Sequence, residues 1–582
     1  MALFYYFNKE RRDIMNIKPG SLIKDTLDLK YYSSTEDNSE VEKTPDNSIE
    51  IVGTHEEGVN TLAEGIASHA EGSHTIAGGT ASHAEGAHTT ASGDYSHTEG
   101  ANTLSNGIAS HAEGNSTVAI GSNSHTEGSH TSTGCPNDSS QGNSAHAEGI
   151  HTTAKGIASH TEGSYTIAEG VASHAEGAHT IARADYSHTE GANTLSKGIA
   201  SHAEGNSTVA CGSNSHTEGC FTITGNPDDP SQGNSAHAEG YFSKAHGSSS
   251  HAEGSNTLSY GYNSHAEGSY TSTGCPNDPS QGNSAHAEGH YSKAYGESSH
   301  AEGCFTVARG NSAHAEGSYT VARGESSHAE GDHTIAHGDF SHSEGIDTQA
   351  IGSYSHAEGL GTIASSNGSH IMGKYGDAQE PYSWFIGNGL APTNREIGAK
   401  WLASTRNMYI DGNTYVTNGT NYAEMFEISG DPIDVGFFVT LQGNFIRKAT
   451  SQDDYILGVT STTPSILGNS AEMRWHKKYM VDEWGQIQYE NAHNIIQNSY
   501  TSIQQNPILN PQWDSNETYM PRRNRVEWVS VGLLGQIRVR DDGTSEIGGY
   551  CFPNNEGIAT KANEGYRVMK RLNSNQIIII LK

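Results

Sequence analysis

A repeat of fourteen residues is the feature that most constrains the fold of this chain. The motif His-x-Glu-Gly recurs with its His residues fourteen positions apart, as from His55 to His125. The step lengthens to twenty-one at three inserted segments, which begin at Gly134, Gly225 and Gly274. Fourteen residues are too few for a helical repeat but accommodate two short strands and two turns. We therefore expect a parallel β-solenoid with one repeat per turn and about 4.8 Å between turns.

Alternation of side chains within each repeat predicts which residues face the interior. In Ser68–Gly72 the Ser and Ala share one face, and the His and Glu share the other. In Thr75–Ala77 the Thr and Ala face inward and the aliphatic residue faces outward. The predicted outer aliphatic column contains Ile76, Leu104, Val118, Ile167, Ile181, Leu195, Val209, Val307, Val321 and Ile335. An apolar column of this length predicts that the coil packs against copies of itself.

The pattern SxAxG-xx-TxAxG, over about residues 51 to 370, resembles the head repeat of trimeric adhesins of the YadA type. The resemblance implies a left-handed parallel β-roll in which three chains pack side by side. The expected fold class is therefore all-β, with fourteen-residue turns forming a homotrimeric rod and a β-rich domain following it.

Composition excludes several other classes of protein. The chain of 582 residues has a formal net charge of −34, which arises largely from the repeated Glu, so we expect no nucleic-acid partner. Six Cys without CxxC spacing predict no disulfide framework, in keeping with assembly in a reducing cytoplasm. The apolar run at the N-terminus is too short for a signal peptide and no later stretch approaches a membrane span, so we expect no membrane partner.

Three segments follow from changes in composition along the chain. Residues 1–50 are polar and of mixed charge, which predicts a linker or mobile arm that attaches the chain to a larger particle. Residues 51–370 are the repeat region. Residues 371–582 lose the repeat and show short strand patterns such as FFVTLQGNFI, which predict a globular domain.

This last segment carries a second resemblance. The stretches FIGNGLAPTNREIGAKWLASTRNMYIDGNTYVTNGTNYAEMFEISGDP, GFFVTLQGNFIRKA and VGLLGQIRVRDDGTSEIGGYCFPNNEGIAT resemble the self-cleaving intramolecular chaperone domain of phage tail spikes and neck appendages. The resemblance covers nearly all of residues 372–582. It implies a domain that trimerises, templates the folding of the fibre ahead of it and then cuts itself off, in a protein located in the virion.

The same resemblance implies where the cut would fall. The family's DYAEYFEW-like motif corresponds to NYAEMFE here, which places the cleaved bond between Thr420 and Asn421 and the catalytic Glu at Glu424. The family's Asp is replaced by Asn421, and an amide cannot act as a general base near neutral pH. Two interpretations stay open: a single-turnover autopeptidase, or an uncut trimerisation domain in which both side chains only form hydrogen bonds.

The spacing of this pair limits how it could act. Residues three apart lie on opposite faces of a strand but on the same face of a helical turn. Asn421 and Glu424 must therefore sit on a turn, or meet across the chains of a trimer.

Thirty-three His raise the question of metal binding, since stacked His-x-Glu columns bring imidazole and carboxylate groups close together. We favour a structural ladder in which each His hydrogen-bonds a neighbouring Glu, and we expect no metal and no cofactor. Protonation of such a ladder, near a pKa of about 6.5, would make the rod sensitive to pH.

These observations favour a homotrimeric phage tail fibre or appendage that attaches to a host-surface receptor or glycan. One alternative is a tail spike that depolymerises polysaccharide, which needs two acids about 5 to 10 Å apart; the repeats offer no unique pair. The other alternative is a cellular trimeric adhesin. The three inserted segments are either receptor-binding loops or tolerated surface insertions.

Overall fold

A computed structural model describes residues 53–135, 138, 140–229, 232–276, 278, 281–411, 417–471, 477–493, 503–514, 516 and 518–582. These residues form strands and one short 3-10 helix, Arg522–Asn524, and contain no α-helix, which confirms the all-β prediction. No described helix has the length and apolar composition needed to cross a membrane. The chain divides into two compact units, Met1–Asp411 and Gly412–Lys582. The predicted arm, residues 1–50, lies outside the described residues.

The first unit is the predicted parallel β-solenoid, with 23 turns. Two strands per turn build two long sheets, and strands are numbered in chain order, so that β1 to β45 alternate between the sheets. The odd-numbered strands form the first sheet: His55–Val59, His69–Ser73, His83–Ala87, His97–Ala101, His111–Asn115, His125–Ser129, His146–Ile150, His160–Thr161, His174–Ala175, His188–Thr189, His202–Ala203, His216–Thr217, His237–Tyr241, His251–Ser255, His265–Ser269, His286–His290, His300–Cys304, His314–Ser318, His328–Asp332, His342–Ile346, His356–Leu360, His370–Lys374 and Trp384–Asn388.

The even-numbered strands, β2 to β44, form the second sheet and have two residues each. They are Leu62–Ala63, Ile76–Ala77, Thr90–Ala91, Leu104–Ser105, Val118–Ala119, Ser132–Thr133, Thr153–Ala154, Ile167–Ala168, Ile181–Ala182, Leu195–Ser196, Val209–Ala210, Ile223–Thr224, Lys244–Ala245, Leu258–Ser259, Ser272–Thr273, Lys293–Ala294, Val307–Ala308, Val321–Ala322, Ile335–Ala336, Gln349–Ala350, Ile363–Ala364 and Asp377–Ala378.

Each turn pairs with the next in register, as the repeat predicts. His55 pairs with His69, and the register is kept across the longer steps, where His125 pairs with His146. The inserted segments therefore leave both sheets unbroken. The last parallel pairing joins His370 to Trp384, after which β46 (Ile397–Trp401) and β47 (Met408–Ile410) add two antiparallel strands.

Small residues fill the interior of the coil, as predicted. The Ser and Ala of Ser68–Gly72 and the Thr and Ala of Thr75–Ala77 are all buried, whereas Ile76 is half-buried on the outside. The outer aliphatic column differs from expectation in one section. Ile181, Leu195 and Val209 are buried within the single chain, where they pack with Cys211, so this section needs no partner copy to leave water.

The corners of the coil explain how fourteen residues close a turn. A residue with positive φ recurs every seven positions, for example Asn60 (φ 56°), Ala67 (φ 60°) and His74 (φ 60°). This left-handed conformation reverses the chain within one residue, although side chains other than Gly and Asn adopt it rarely. The Gly that ends each His-x-Glu-Gly motif is required for packing, since a Cβ on Gly72 would lie 2.1 Å from the carbonyl oxygen of Gly86 in the next turn.

The second unit is a β half-barrel built on one sheet of ten strands and a separate hairpin. Its strands are β48 (Asn421–Glu427), β49 (Phe438–Gln442), β50 (Phe445–Lys448), β51 (Gly458–Thr460), β52 (Ile466–Gly468), β53 (Tyr489–His493), β54 (Ile503–Pro507), β55 (Trp528–Arg540), β56 (Tyr550–Pro553), β57 (Ala559–Ala562), β58 (Tyr566–Asn573) and β59 (Gln576–Leu581). The long strand β55 is central, because it pairs with β48, β51 and β59. Phe438, Val459 and Ile579 lie at the core of the sheet's buried face.

Candidate functional site

The predicted NYAEMFE motif forms strand β48. This strand lies between β55, with which Asn421 pairs antiparallel through Gly535, and β52, with which Tyr422 pairs in parallel through Ile466. The expectation that Asn421 and Glu424 could share a turn is therefore wrong. They lie on opposite faces of a strand, Asn421 buried and Glu424 half-buried, so the structure does not bring this pair together within one chain.

Asn421 is enclosed, with 3% of its surface exposed. Its side-chain Oδ1 accepts a hydrogen bond from Ser461 Oγ at 3.3 Å. Its backbone carbonyl oxygen accepts two, from the N–H of Ser465 at 2.8 Å and from Ser465 Oγ at 2.9 Å. Its Nδ2 is buried and has no hydrogen-bond acceptor among the described residues. The segment from Ser461 to Ser465 thus surrounds Asn421 with hydroxyl and amide donors.

The predicted cleavage bond, Thr420–Asn421, is held by strand β55. The carbonyl oxygen of Thr420 accepts a hydrogen bond from the backbone N–H of Gln536 at 3.1 Å, and Thr420 Oγ1 donates to the Gln536 carbonyl at 2.8 Å. Gly535, with φ +103°, allows this close approach. The arrangement polarises the Thr420 carbonyl, because a hydrogen-bond donor stabilises the negative charge that its oxygen would gain on nucleophilic attack.

Glu424 is positioned by its own strand. Tyr422 Oη donates a 2.5 Å hydrogen bond to Glu424 Oε1, and this bond, together with burial, raises the pKa of the Tyr422 phenol. Gly468 on the neighbouring strand leaves room for the pair, since a Cβ there would lie 2.9 Å from both Tyr422 Oη and Glu424 Cγ. The Glu424 carboxylate is therefore fixed on the outer face of β48.

Sequence reasoning missed the residues that surround the strand, namely Ser461, Ser465, Gly535 and Gln536. A Gly inside a strand pattern marks a bulge or a close backbone approach, so Gly535 in VGLLGQI carried a detectable signal. The two Ser carry none, because their role depends on pairing between segments that are distant in sequence.

The His of the repeats form a second cluster of titratable groups, here called the histidine ladder, from His69 to His370. Their rings stack continuously, with centroids 4.6 to 4.9 Å apart. The expected His–Glu hydrogen bonds are wrong. Each Nε2 that faces the Glu of its own strand lies 3.5 to 3.9 Å from that carboxylate, beyond hydrogen-bond length. Stacking therefore holds the ladder together.

Burial and the adjacent imidazoles lower the pKa of several ladder residues, including His160, His174 and His314. For His111 and His202, burial first and the neighbouring rings second lower the pKa to about 4, against the opposing effect of nearby Glu. Groups such as His69, Glu71 and His83 place one ligand atom each within 4.8 Å of one another. These are donor types that bind metal ions, and the expectation of no metal stays a prediction.

Comparison with known proteins supports a function for the C-terminal region. Residues 364–575 match the family model of the Peptidase_G2, IMC autoproteolytic cleavage domain. The chain is 34% identical over 168 residues to the pre-neck appendage protein of Bacillus phage B103, a match covering 28% of this chain and 19% of that protein. It is 31% identical over 197 residues to the preneck appendage protein of Bacillus phage PZA, covering 32% of this chain and 22% of that protein.

Among solved structures, the C-terminal fragment of the bacteriophage phi29 gene product 12 is 32% identical; the match covers 28% of this chain and 100% of that chain, with a TM-score of 0.25. The chain thus spans about a fifth of the length of the curated relatives it matches. Through the region that matches this family model, residues 364–575, the chain is similar to phage pre-neck appendage proteins.

Proposed function

We propose that this chain is the subunit of a homotrimeric phage tail fibre or appendage that helps the particle attach to the host surface. The observation that carries the proposal is the union, in one chain, of a 23-turn β-solenoid and a Peptidase_G2 domain. The solenoid supplies a repetitive shaft, and the domain templates its assembly and then separates from it. The fibre assembles in the host cytoplasm and resides in the virion, where the N-terminal arm contacts other structural proteins.

Exposed apolar side chains support the trimer. Ile66, Ile108 and Ile199 occupy equivalent corners of different turns, and each is 55 to 58% exposed in the single chain. Exposed apolar corners of this kind are candidates for contact with another copy of the chain, although polar residues such as Thr80 and Asp94 occupy the turns between them. Light scattering of the purified protein tests this, and a monomeric mass would contradict it.

The buried face of β48 carries Asn421, Ala423 and Met425. It therefore offers no carboxyl group to the Thr420–Asn421 bond. We propose that the Glu424 carboxylate acts on the Thr420–Asn421 bond of a neighbouring chain. It takes a proton from a water molecule that attacks the Thr420 carbonyl carbon, and it passes this proton to the Asn421 nitrogen as the peptide bond breaks. Cleavage would then depend on correct assembly.

Intact mass under denaturing conditions tests the cut. We expect fragments that separate at Thr420–Asn421, their loss in Glu424→Ala and their increase in Asn421→Asp. Asp431→Ala is the matched control, since Asp431 is an exposed acid of the same domain. A wild-type chain that stays whole, with an equally whole Asn421→Asp variant, would contradict the proposed cut.

Co-expression of two differently tagged chains tests whether Glu424 acts across chains. One chain carries Glu424→Ala and the other carries Gly535→Ala, which disturbs the bond to be cut. If Glu424 acts on its neighbour, the Glu424→Ala chain is cut only in the mixed trimer. If it acts within its own chain, mixing restores nothing.

Host attachment is proposed for the shaft. The first insert borders a cleft lined by Asp138, Ser140, Gln141, Lys155, Gly156, Ile157, Glu169 and Val171. In it, Glu169 lies 3.0 Å from Lys155 Nζ and 3.6 Å from Arg183 Nε. Such polar groups beside aliphatic side chains suit a surface glycan. Binding of the fibre to host cells, compared with a variant that lacks residues 135–141, tests the idea; equal binding would contradict it.

A further inference from the structure

We propose that Asn421 itself opens the next bond of the same strand, Asn421–Tyr422, by cyclisation of its side chain. The inference shares with the proposed function only the view that the chain is cut at the start of β48. It differs in the bond, in the nucleophile and in needing no carboxylate from another chain.

The first observation is the state of the side-chain amide. Only 3% of the surface of Asn421 is exposed, and its Nδ2 has no hydrogen-bond acceptor among the described residues. A buried amide N–H without an acceptor destabilises the folded chain, and native folds rarely retain one without a structural or catalytic reason. Nδ2 is therefore an enclosed nitrogen that no acceptor holds in place.

The second observation is the environment of the Asn421 carbonyl. Its oxygen receives two hydrogen bonds from one residue, the Ser465 N–H at 2.8 Å and Ser465 Oγ at 2.9 Å. Two donors at this range around one buried carbonyl have the geometry of an oxyanion hole. They stabilise the negative charge that develops on this oxygen when a nucleophile adds to its carbon, and burial strengthens both bonds.

Ser461 orients the amide. Its Oγ donates to Asn421 Oδ1 at 3.3 Å, which fixes the oxygen end of the side chain and stabilises charge on Oδ1 as Nδ2 gives up a proton. The leaving nitrogen belongs to Tyr422, and the register of β48 against β55 shifts between Tyr422 and Ala423. This irregularity of the ladder begins directly after Tyr422, so it adjoins the bond to be broken on its C-terminal side.

The reaction balances without a co-reactant. Nδ2 attacks the Asn421 carbonyl carbon, forming an N–C bond and closing a five-membered succinimide. The bond from that carbon to the Tyr422 nitrogen breaks, and one Nδ2 proton is transferred to this nitrogen, which leaves as a free amine. Water later opens the terminal succinimide. An Asp at this position has no amide nitrogen and cannot follow this route.

Top-down mass spectrometry of the purified full chain, incubated at neutral pH, tests the proposal. We expect a C-terminal fragment that begins at Tyr422 and an N-terminal fragment that ends at Asn421 and is lighter by one water than the free acid. Asn421→Ala should abolish this pair of products. Ser465→Ala, which keeps the N–H donor but loses the hydroxyl, should slow their formation by about 100-fold.

Controls separate this route from the proposed function. Glu424→Ala should leave the cut after Asn421 unchanged while removing any cut before it. Ser429→Ala, an exposed Ser just beyond β48, should match wild type, and thermal melting and light scattering show that each variant is folded. Fragments whose new termini are only Thr420 and Asn421 would overturn the inference and support the proposed function. An uncut wild-type chain, or an unchanged rate in folded Ser465→Ala, would also overturn it.

Discussion

A Cβ placed on Gly535 would lie 2.5 Å from the carbonyl oxygen of Thr420. Gly535 also has φ +103°, so it permits both the backbone conformation of β55 at this point and the close approach of Thr420. One missing side chain thus sets the distance between two strands that are more than a hundred residues apart in sequence.

Gly535→Ala should destabilise the C-terminal unit by about 1 to 3 kcal/mol more than Gly548→Ala. Gly548 also has positive φ, but a Cβ there would meet nothing within 4 Å, so it controls for the backbone cost alone. Urea unfolding followed by tryptophan fluorescence measures the difference. Equal losses of unfolding free energy in the two variants would show that the close contact between Gly535 and Thr420 adds nothing to the cost of the substitution.

Tyr422→Phe should slow cleavage before Asn421 by about 10-fold without preventing assembly. The variant removes the 2.5 Å hydrogen bond that fixes the Glu424 carboxylate, so that carboxylate samples more positions. Tyr455→Phe serves as the control, because Tyr455 is an exposed tyrosine of the same unit. The rate of fragment formation by mass spectrometry checks this, and an unchanged rate would mean that Glu424 does not need Tyr422.

Arg571→Met should destabilise the C-terminal unit by about 3 to 5 kcal/mol. Arg571 Nη2 lies 2.7 Å from Asp541 Oδ2, and the Asp541 side chain is completely buried, so loss of the guanidinium leaves a buried charge unpaired. Lys570→Met changes the adjacent exposed cation and should stay within about 0.5 kcal/mol of wild type. Chemical unfolding measures the free energy of unfolding of both variants. Similar losses in the two variants would contradict a stabilising role for the buried Arg571–Asp541 ion pair.

Acid should destabilise the solenoid. Folding lowers the pKa of ladder residues such as His111 and His202 to about 4, below the value of about 6.5 expected in the unfolded chain. The unfolded state therefore binds more protons between these values, so this contribution is fully present above about pH 6.5 and is lost as the pH falls toward 4. Melting followed by circular dichroism should occur at a lower temperature at about pH 5 than at about pH 7.5. Equal melting temperatures at the two pH values would contradict the lowered pKa of these His residues.

The repeat region was predictable because its information is local. A fixed spacing of His, Ala and Gly determines which residues stack, and the inward Ser and Ala of Ser68–Gly72 follow from alternation alone. Handedness and the trimer remain inferences from resemblance. The buried section around Val209 was not predicted, since its burial depends on packing beyond a single repeat.

The candidate site was predictable only in part, because it joins distant segments. The motif located β48, but the sequence could not show that Ser465 reaches the Asn421 carbonyl or that Gln536 reaches the Thr420 carbonyl. Both contacts depend on the pairing of β48 with β52 and β55. The opposite faces of Asn421 and Glu424 could be foreseen once the segment was known to be a strand, and the sequence left that choice open.

The in-register pairing of the turns has a genetic consequence. The rings of His125 and His146 stack with their centroids 4.9 Å apart, although the step between them is seven residues longer than the usual fourteen. The inserted residues therefore do not disturb the stacking of the turns. A duplication or deletion of one whole repeat in the gene changes the shaft by a single histidine spacing and leaves every other pairing intact. Unequal recombination between these near-identical segments can therefore change the length of the solenoid in steps of one turn, without any change to the residues that stack in the remaining turns.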